Sequence, residues 1–120
     1  MGKKIVVIDD DQITIKILEK FLLDLGFQVY TAEDGASGYE LVHSKKPDIL
    51  ITDMLIPKIH GVELCRKIKE NPELNQIKLI LMTSVYKNGA CRSIEFECQK
   101  DGFLEKPLDL KKLKEVIQSI

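Results

Sequence analysis

Ile5-Val6-Val7-Ile8-Asp9-Asp10-Asp11 sets four consecutive β-branched residues directly ahead of three carboxylates. A strand with one wet face alternates apolar and polar side chains. An unbroken apolar run marks a strand covered on both faces, as in a parallel sheet flanked by helices. The three carboxylates then fall beyond the carboxyl end of that strand, where open α/β sheets bind ligands. Working outward, Ile13, Ile17, Leu18, Phe21, Leu22 and Leu25 recur at helical spacing between Gln12 and Leu25, and Gly26 supplies the stop. Asp11, just ahead of this pattern, reads as the helix N-cap rather than as a ligand.

The alternation continues along the chain. Phe27 to Thr31 reads as a second strand, Glu33-Asp34-Gly35 as a turn, and Ala36 to Lys45 as a second helix. Pro47 precedes a third strand at Ile49 to Thr52, and a loop through Pro57 and Gly61 leads into a helix near Val62 to Glu70. A fourth strand at Leu79 to Met82, a helix around Arg92 to Lys100 and a short strand near Phe103-Leu104 follow. Asp109 caps a final helix with Leu110, Leu113, Val116, Ile117 and Ile120 on one face. Strand followed by helix, five times over, predicts an α/β fold: a doubly wound five-stranded parallel sheet with helices on both faces. A chain of 120 residues holds one such domain, 1–120, and is too short for two.

Composition narrows the function classes. No apolar run approaches the roughly 20 residues that span a bilayer, and no signal-peptide pattern opens the chain, so a cytoplasmic location without membrane contact is expected. A formal net charge of −1 supplies no positive field for direct nucleic-acid binding. Cys65, Cys91 and Cys98 fit no metal or redox spacing and read as free thiols in a reducing compartment. His43 and His60 have no partner at ligand spacing and read as solvated or turn residues.

The remaining polar residues concentrate at strand ends. Asp9-Asp10-Asp11 follows the first strand, Thr52-Asp53 ends the third, Thr83-Ser84 the fourth and Lys106-Pro107 the fifth. Two carboxylates about 5 Å apart repel by roughly 3 kcal/mol at an effective dielectric of 20. Asp9, Asp10 and Asp53 on one edge therefore call for a cation, and an all-oxygen set with few protein ligands suits Mg²⁺. Lys106 adds a positive charge suited to a phosphoryl oxygen, and Thr83 a hydroxyl donor. These parts fit attack by a carboxylate on a phosphoryl group, with charge on the transferred oxygens stabilised around it.

The pieces IVVIDDD (Ile5 to Asp11), PDILITDMLIPKIHG (Pro47 to Gly61), LILMTS (Leu79 to Ser84) and GFLEKPLDLKKL (Gly102 to Leu113) occur in this order. With them the chain resembles the receiver domain of two-component response regulators, from Lys4 to Ile120. The resemblance implies a flavodoxin-like (βα)5 fold and a phosphorylation-controlled switch that takes its phosphoryl group from a sensor histidine kinase or histidine phosphotransfer protein. Asp53 would be the phosphoacceptor. Asp10 would bind Mg²⁺ directly, Asp9 mostly through metal-bound water, and the backbone carbonyl of Leu55 would be a further ligand. Thr83 would hydrogen-bond the phosphoryl group, Lys106 would form an ion pair with it, the Lys106-Pro107 peptide would be cis, and Phe103 would be the aromatic switch residue. An output domain or protein would contact the fourth helix, fifth strand and fifth helix. Such a domain is not an enzyme in the usual sense: its turnover is Mg²⁺-dependent self-phosphorylation and slow self-dephosphorylation.

Departures from the family pattern are His60 where an aspartate is common, Gln99-Lys100 in place of Gly-Ala, and aliphatic Leu55 and Val85 two residues beyond Asp53 and Thr83. Other readings fit less well. A phosphatase of the haloacid dehalogenase type shares a D-x-D after its first strand, but Gln12 and Ile13 do not continue that motif. A flavodoxin-type electron carrier needs a phosphate loop where this chain has three aspartates that would repel the anion. The alternative that remains is a phosphorylation-independent, receiver-like interaction module.

Overall fold

Five strands, β1 (Lys4–Ile8), β2 (Gln28–Ala32), β3 (Ile49–Asp53), β4 (Lys78–Thr83) and β5 (Gly102–Glu105), form one sheet in the order β2-β1-β3-β4-β5. Every neighbouring pair is parallel. The computed structural model describes residues 3–53, 61–83, 102–105 and 109–119, with the backbone alone at 61, 62, 83, 103 and 105. Four helices lie among the described residues: α1 (Gln12–Asp24), α2 (Gly35–Lys45), α3 (Gly61–Glu70) and the C-terminal α4 (Leu110–Ser119). The helix expected around Arg92 to Lys100 falls outside them.

The apolar strand runs are buried on both faces, as their composition predicts. Val6, Ile8, Leu50, Leu79 and Leu81 form one layer with Val42 of α2 and Leu64, Cys65 and Ile68 of α3. Ile5, Val7, Ile51, Ile80 and Met82 form the other with Leu18 and Leu22 of α1 and Leu113 of α4. The period-2 alternation of the strands thus feeds two cores, and the sheet is doubly wound. Two glycines allow the helices to come close. A Cβ on Gly38 would overlap Ile8 Cδ1, and one on Gly102 would lie 2.5 Å from Val116 Cγ1 of α4.

Caps delimit the helices where the sequence places them. Asp11 accepts from the Ile13 N–H at 3.1 Å and from the Thr14 hydroxyl at 2.8 Å. Asp109 accepts from the Lys111 N–H at 3.0 Å. Gly26, just past α1, takes φ +96°, a left-handed conformation open to glycine without a Cβ penalty. Two details differ from expectation. Asp34 caps α2 through the Ser37 N–H at 2.7 Å, so the expected turn residue Gly35 is the first helical one. On α1, Ile15, Leu18 and Leu22 are the buried positions, whereas Ile13 and Ile17 are 70% and 48% exposed. Isoleucines at 13, 15 and 17 satisfy two helical faces at once, and packing selects the one carrying Leu18 and Leu22.

Candidate functional site

The strand order reverses between β1 and β3: the chain passes from β1 outward to β2, then returns across to β3 on the other side. Adjacent crossovers diverge there and leave a crevice beyond the strand ends. Asp9 and Asp10 follow β1 directly and Asp53 closes β3, with Ile8 paired to Thr52 one step before. The three carboxylates meet in that crevice, with one oxygen from each lying within 4.8 Å of the others.

Each carboxylate has its own setting. Asp9 is fully buried; its N–H donates to the Ala32 carbonyl at 3.1 Å, and its Oδ1 accepts from the Asp11 N–H at 2.9 Å. Its side chain is thereby fixed by the same turn that opens α1. Asp10 is exposed, and Asp53 is 8% exposed. Asp11 stands outside the group, both of its oxygens engaged in capping α1. Asp11 is the N-cap of α1, as its place ahead of the helical pattern predicts.

Among the described residues this is the only such group of acidic, histidine or cysteine ligands. Its donors are all carboxylate oxygens, which fits a hard divalent cation that retains water and gives a softer metal no nitrogen or sulfur ligand. Thr83 ends β4, paired with Glu105 of β5 and one residue past Met82, the partner of Asp53. Its backbone therefore reaches the same edge. Phe103 lies in β5 opposite Leu81. The expected roles of Leu55, Val85, Lys106 and Pro107 fall on residues outside those described, as do His60, Cys91 and Cys98.

Residues given no chemical role behave as expected. Cys65 is buried in the α2–α3 layer and forms no disulfide among the described residues. His43 is exposed, its ring centroid 6.3 Å from that of Tyr39. One polar contact had not been anticipated. The buried Thr52 hydroxyl donates to the carbonyl oxygen of Asp53 at 3.0 Å. Its only sequence signal is a hydroxyl at the end of the apolar run Ile49-Leu50-Ile51.

A family model described as the response regulator receiver domain matches residues 5–118. A Guillardia theta protein named Probable transcriptional regulator ycf27 is 31% identical over 118 residues, which are 98% of this chain and 45% of that one. The chain spans about half the length of the curated relatives it matches. The chemotaxis response regulator CheY4 of Vibrio cholerae superposes with a TM-score of 0.91 at 20% identity, over 99% of this chain and 98% of that one. The receiver domain of the Pseudomonas aeruginosa sensor histidine kinase PA1611 gives 0.89 at 21% identity, over 99% and 97%, and that structure has a magnesium ion coordinated in its active-site cleft. The architecture is the flavodoxin-like one that these structures share. No helix among the described residues is long and apolar enough to cross a membrane.

Proposed function

The chain belongs to the response regulator receiver domain family, and on that premise we propose that it is a phosphorylation-controlled signalling switch with Asp53 as the acceptor. One observation carries the reading: a nearly buried carboxylate at the end of β3 has two further carboxylates within 4.8 Å, in the crevice where the strand order reverses. In the reaction, an Asp53 oxygen attacks the phosphorus of a phosphohistidine on a sensor histidine kinase or histidine phosphotransfer protein. The P–N bond breaks, its electron pair leaves with the imidazole nitrogen, which is protonated, and an aspartyl phosphate forms.

Asp9, Asp10, Asp53 and the Leu55 carbonyl would hold Mg²⁺, which when bound supplies positive charge beside the transferred phosphoryl oxygens. The chain's own groups do the rest. Asp9, held by the Asp11 N–H, keeps one oxygen turned into the group. The Thr83 hydroxyl donates to the phosphoryl group, the Lys106 ammonium pairs with it, and Phe103 on β5 carries the change outward. The output partner would contact β5 and α4, together with the helix that the sequence predicts around Arg92 to Lys100. Because a curated relative is named a transcriptional regulator and is about twice as long, nucleic-acid contact in such a setting belongs to a separate domain. Self-phosphorylation and slow self-dephosphorylation are the domain's only turnover.

The test is reaction with acetyl phosphate and Mg²⁺, followed by intact mass. Wild type should gain one phosphoryl group and Asp53→Asn none. A wild-type chain that stays unmodified while binding its partner equally well would mark it as a phosphorylation-independent module instead.

A further inference from the structure

Asp9, Thr52 and Asp53 are the polar residues buried among the described residues, and only Thr52 has no role in the acidic group. Thr52 is fully enclosed, paired with Ile8 on β1 and Leu81 on β4, and strand alternation puts its side chain in their apolar layer beneath α2 and α3. Valine would fill that place with the same branching and no hydroxyl to desolvate. A buried hydroxyl is tolerated where it is hydrogen-bonded. This one donates to the Asp53 carbonyl at 3.0 Å, the oxygen of the peptide through which the chain leaves β3. Tying that oxygen to a rotamer-restricted β-branched side chain constrains φ and ψ of Asp53, and with them the direction of its Cβ.

We infer that Thr52 is a positioning residue: its hydroxyl holds the Asp53 main chain so that the carboxylate faces Asp9 and Asp10. This rests on Asp53 being the acceptor. The bond lies on the apolar side of the strand, away from any donor molecule, so it acts through Asp53 alone. Misaiming a reacting group by a fraction of an ångström slows reaction without unfolding anything.

The experiment separates aim from packing with two variants and two readouts, the phosphorylation rate with acetyl phosphate and Mg²⁺ and the melting temperature. Thr52→Val keeps the shape and removes the donor; it should melt at or above the wild-type temperature yet react about tenfold more slowly. Thr52→Ser keeps the donor and loses a methyl; it should melt lower yet react within about twofold of wild type. Stability and rate then move in opposite directions, which a purely structural role does not produce. Thr52→Val reacting at the wild-type rate, or Thr52→Ser as slow as Thr52→Val, overturns the inference and leaves Asp53 as acceptor untouched. A wild-type chain that takes no phosphoryl group overturns both.

Discussion

At the scale of single residues, the three aspartates after β1 show how neighbours of one kind come to do different work. Asp11 is consumed by helix capping, Asp9 is fixed by the Asp11 N–H, and exposed Asp10 is left to face the crevice. The capping role was legible, because an aspartate ahead of a helical pattern has a known partner in the next turn. The burial of Asp9 was not legible, because it depends on which strands lie alongside, and the bond from the Thr52 hydroxyl to the next residue was not, because it depends on the rotamer the side chain takes. Holding Asp9 and Asp53 together costs about 3 kcal/mol at close range, so Asp53→Asn, which keeps the shape and removes a charge, should raise the metal-free melting temperature while abolishing phosphorylation. Calorimetry without metal checks the first half; a lower melting point would show that the carboxylates do not repel. Leu55 and Val85 carry a second prediction. Hydrolysis of the proposed aspartyl phosphate needs a water held in line, and at the two positions where the receiver resemblance implies an orienting group this chain has aliphatic side chains that cannot orient one. The phospho-form should therefore be long-lived, with Leu55→Asn and Val85→Glu each decaying about tenfold faster for one regained orienting interaction of about 1.4 kcal/mol. Decay of the labelled protein measures this, and equal lifetimes in all three would leave the aliphatic pair without a role.

At the scale of elements, strand identity was plain in the sequence and helix orientation was not. Ile5 to Ile8 and Ile49 to Thr52 are buried on both faces and could be little else than inner strands. The first helix carries apolar residues at 13, 15, 17 and 18, so spacing alone admits a face built on Ile13 and Ile17 as readily as one built on Ile15. The sheet decides, because Leu18 and Leu22 pack with Ile5, Val7 and Ile51, and Ile15 shares their side of the helix. Truncation should expose the difference. Ile15→Ala removes enclosed methyl groups and should destabilise the domain by about 2–4 kcal/mol, whereas Ile13→Ala, at a position 70% exposed, should stay within about 0.5 kcal/mol of wild type. Chemical denaturation of the two variants reads this directly, and comparable losses would mean that α1 packs on a different face.

At the scale of the whole molecule, an all-parallel sheet puts every strand's carboxyl end on one edge, so residues far apart in the chain meet only when the sheet is complete. Asp9 and Asp10 come from the β1 end and Asp53 from the β3 end, and β1 and β3 are central strands with neighbours on both sides. Neither strand can shift to relieve the repulsion without disturbing both cores. The unfolded chain does not gather these carboxylates, so a divalent cation held by them would bind the native state alone, and its binding free energy would become folding free energy. At ten times its dissociation constant, Mg²⁺ should add about 1.4 kcal/mol and raise the melting temperature by roughly 5 °C for a domain of this size. Sodium chloride also screens the carboxylates, so melts in Mg²⁺ must be compared at matched ionic strength. Asp10→Asn should reduce the Mg²⁺-specific increment, and Asp53→Asn should reduce it further while starting from a more stable metal-free protein. A melting temperature that rises no more with Mg²⁺ than with sodium chloride of equal ionic strength would remove the cation from the crevice and leave the three carboxylates without their common purpose.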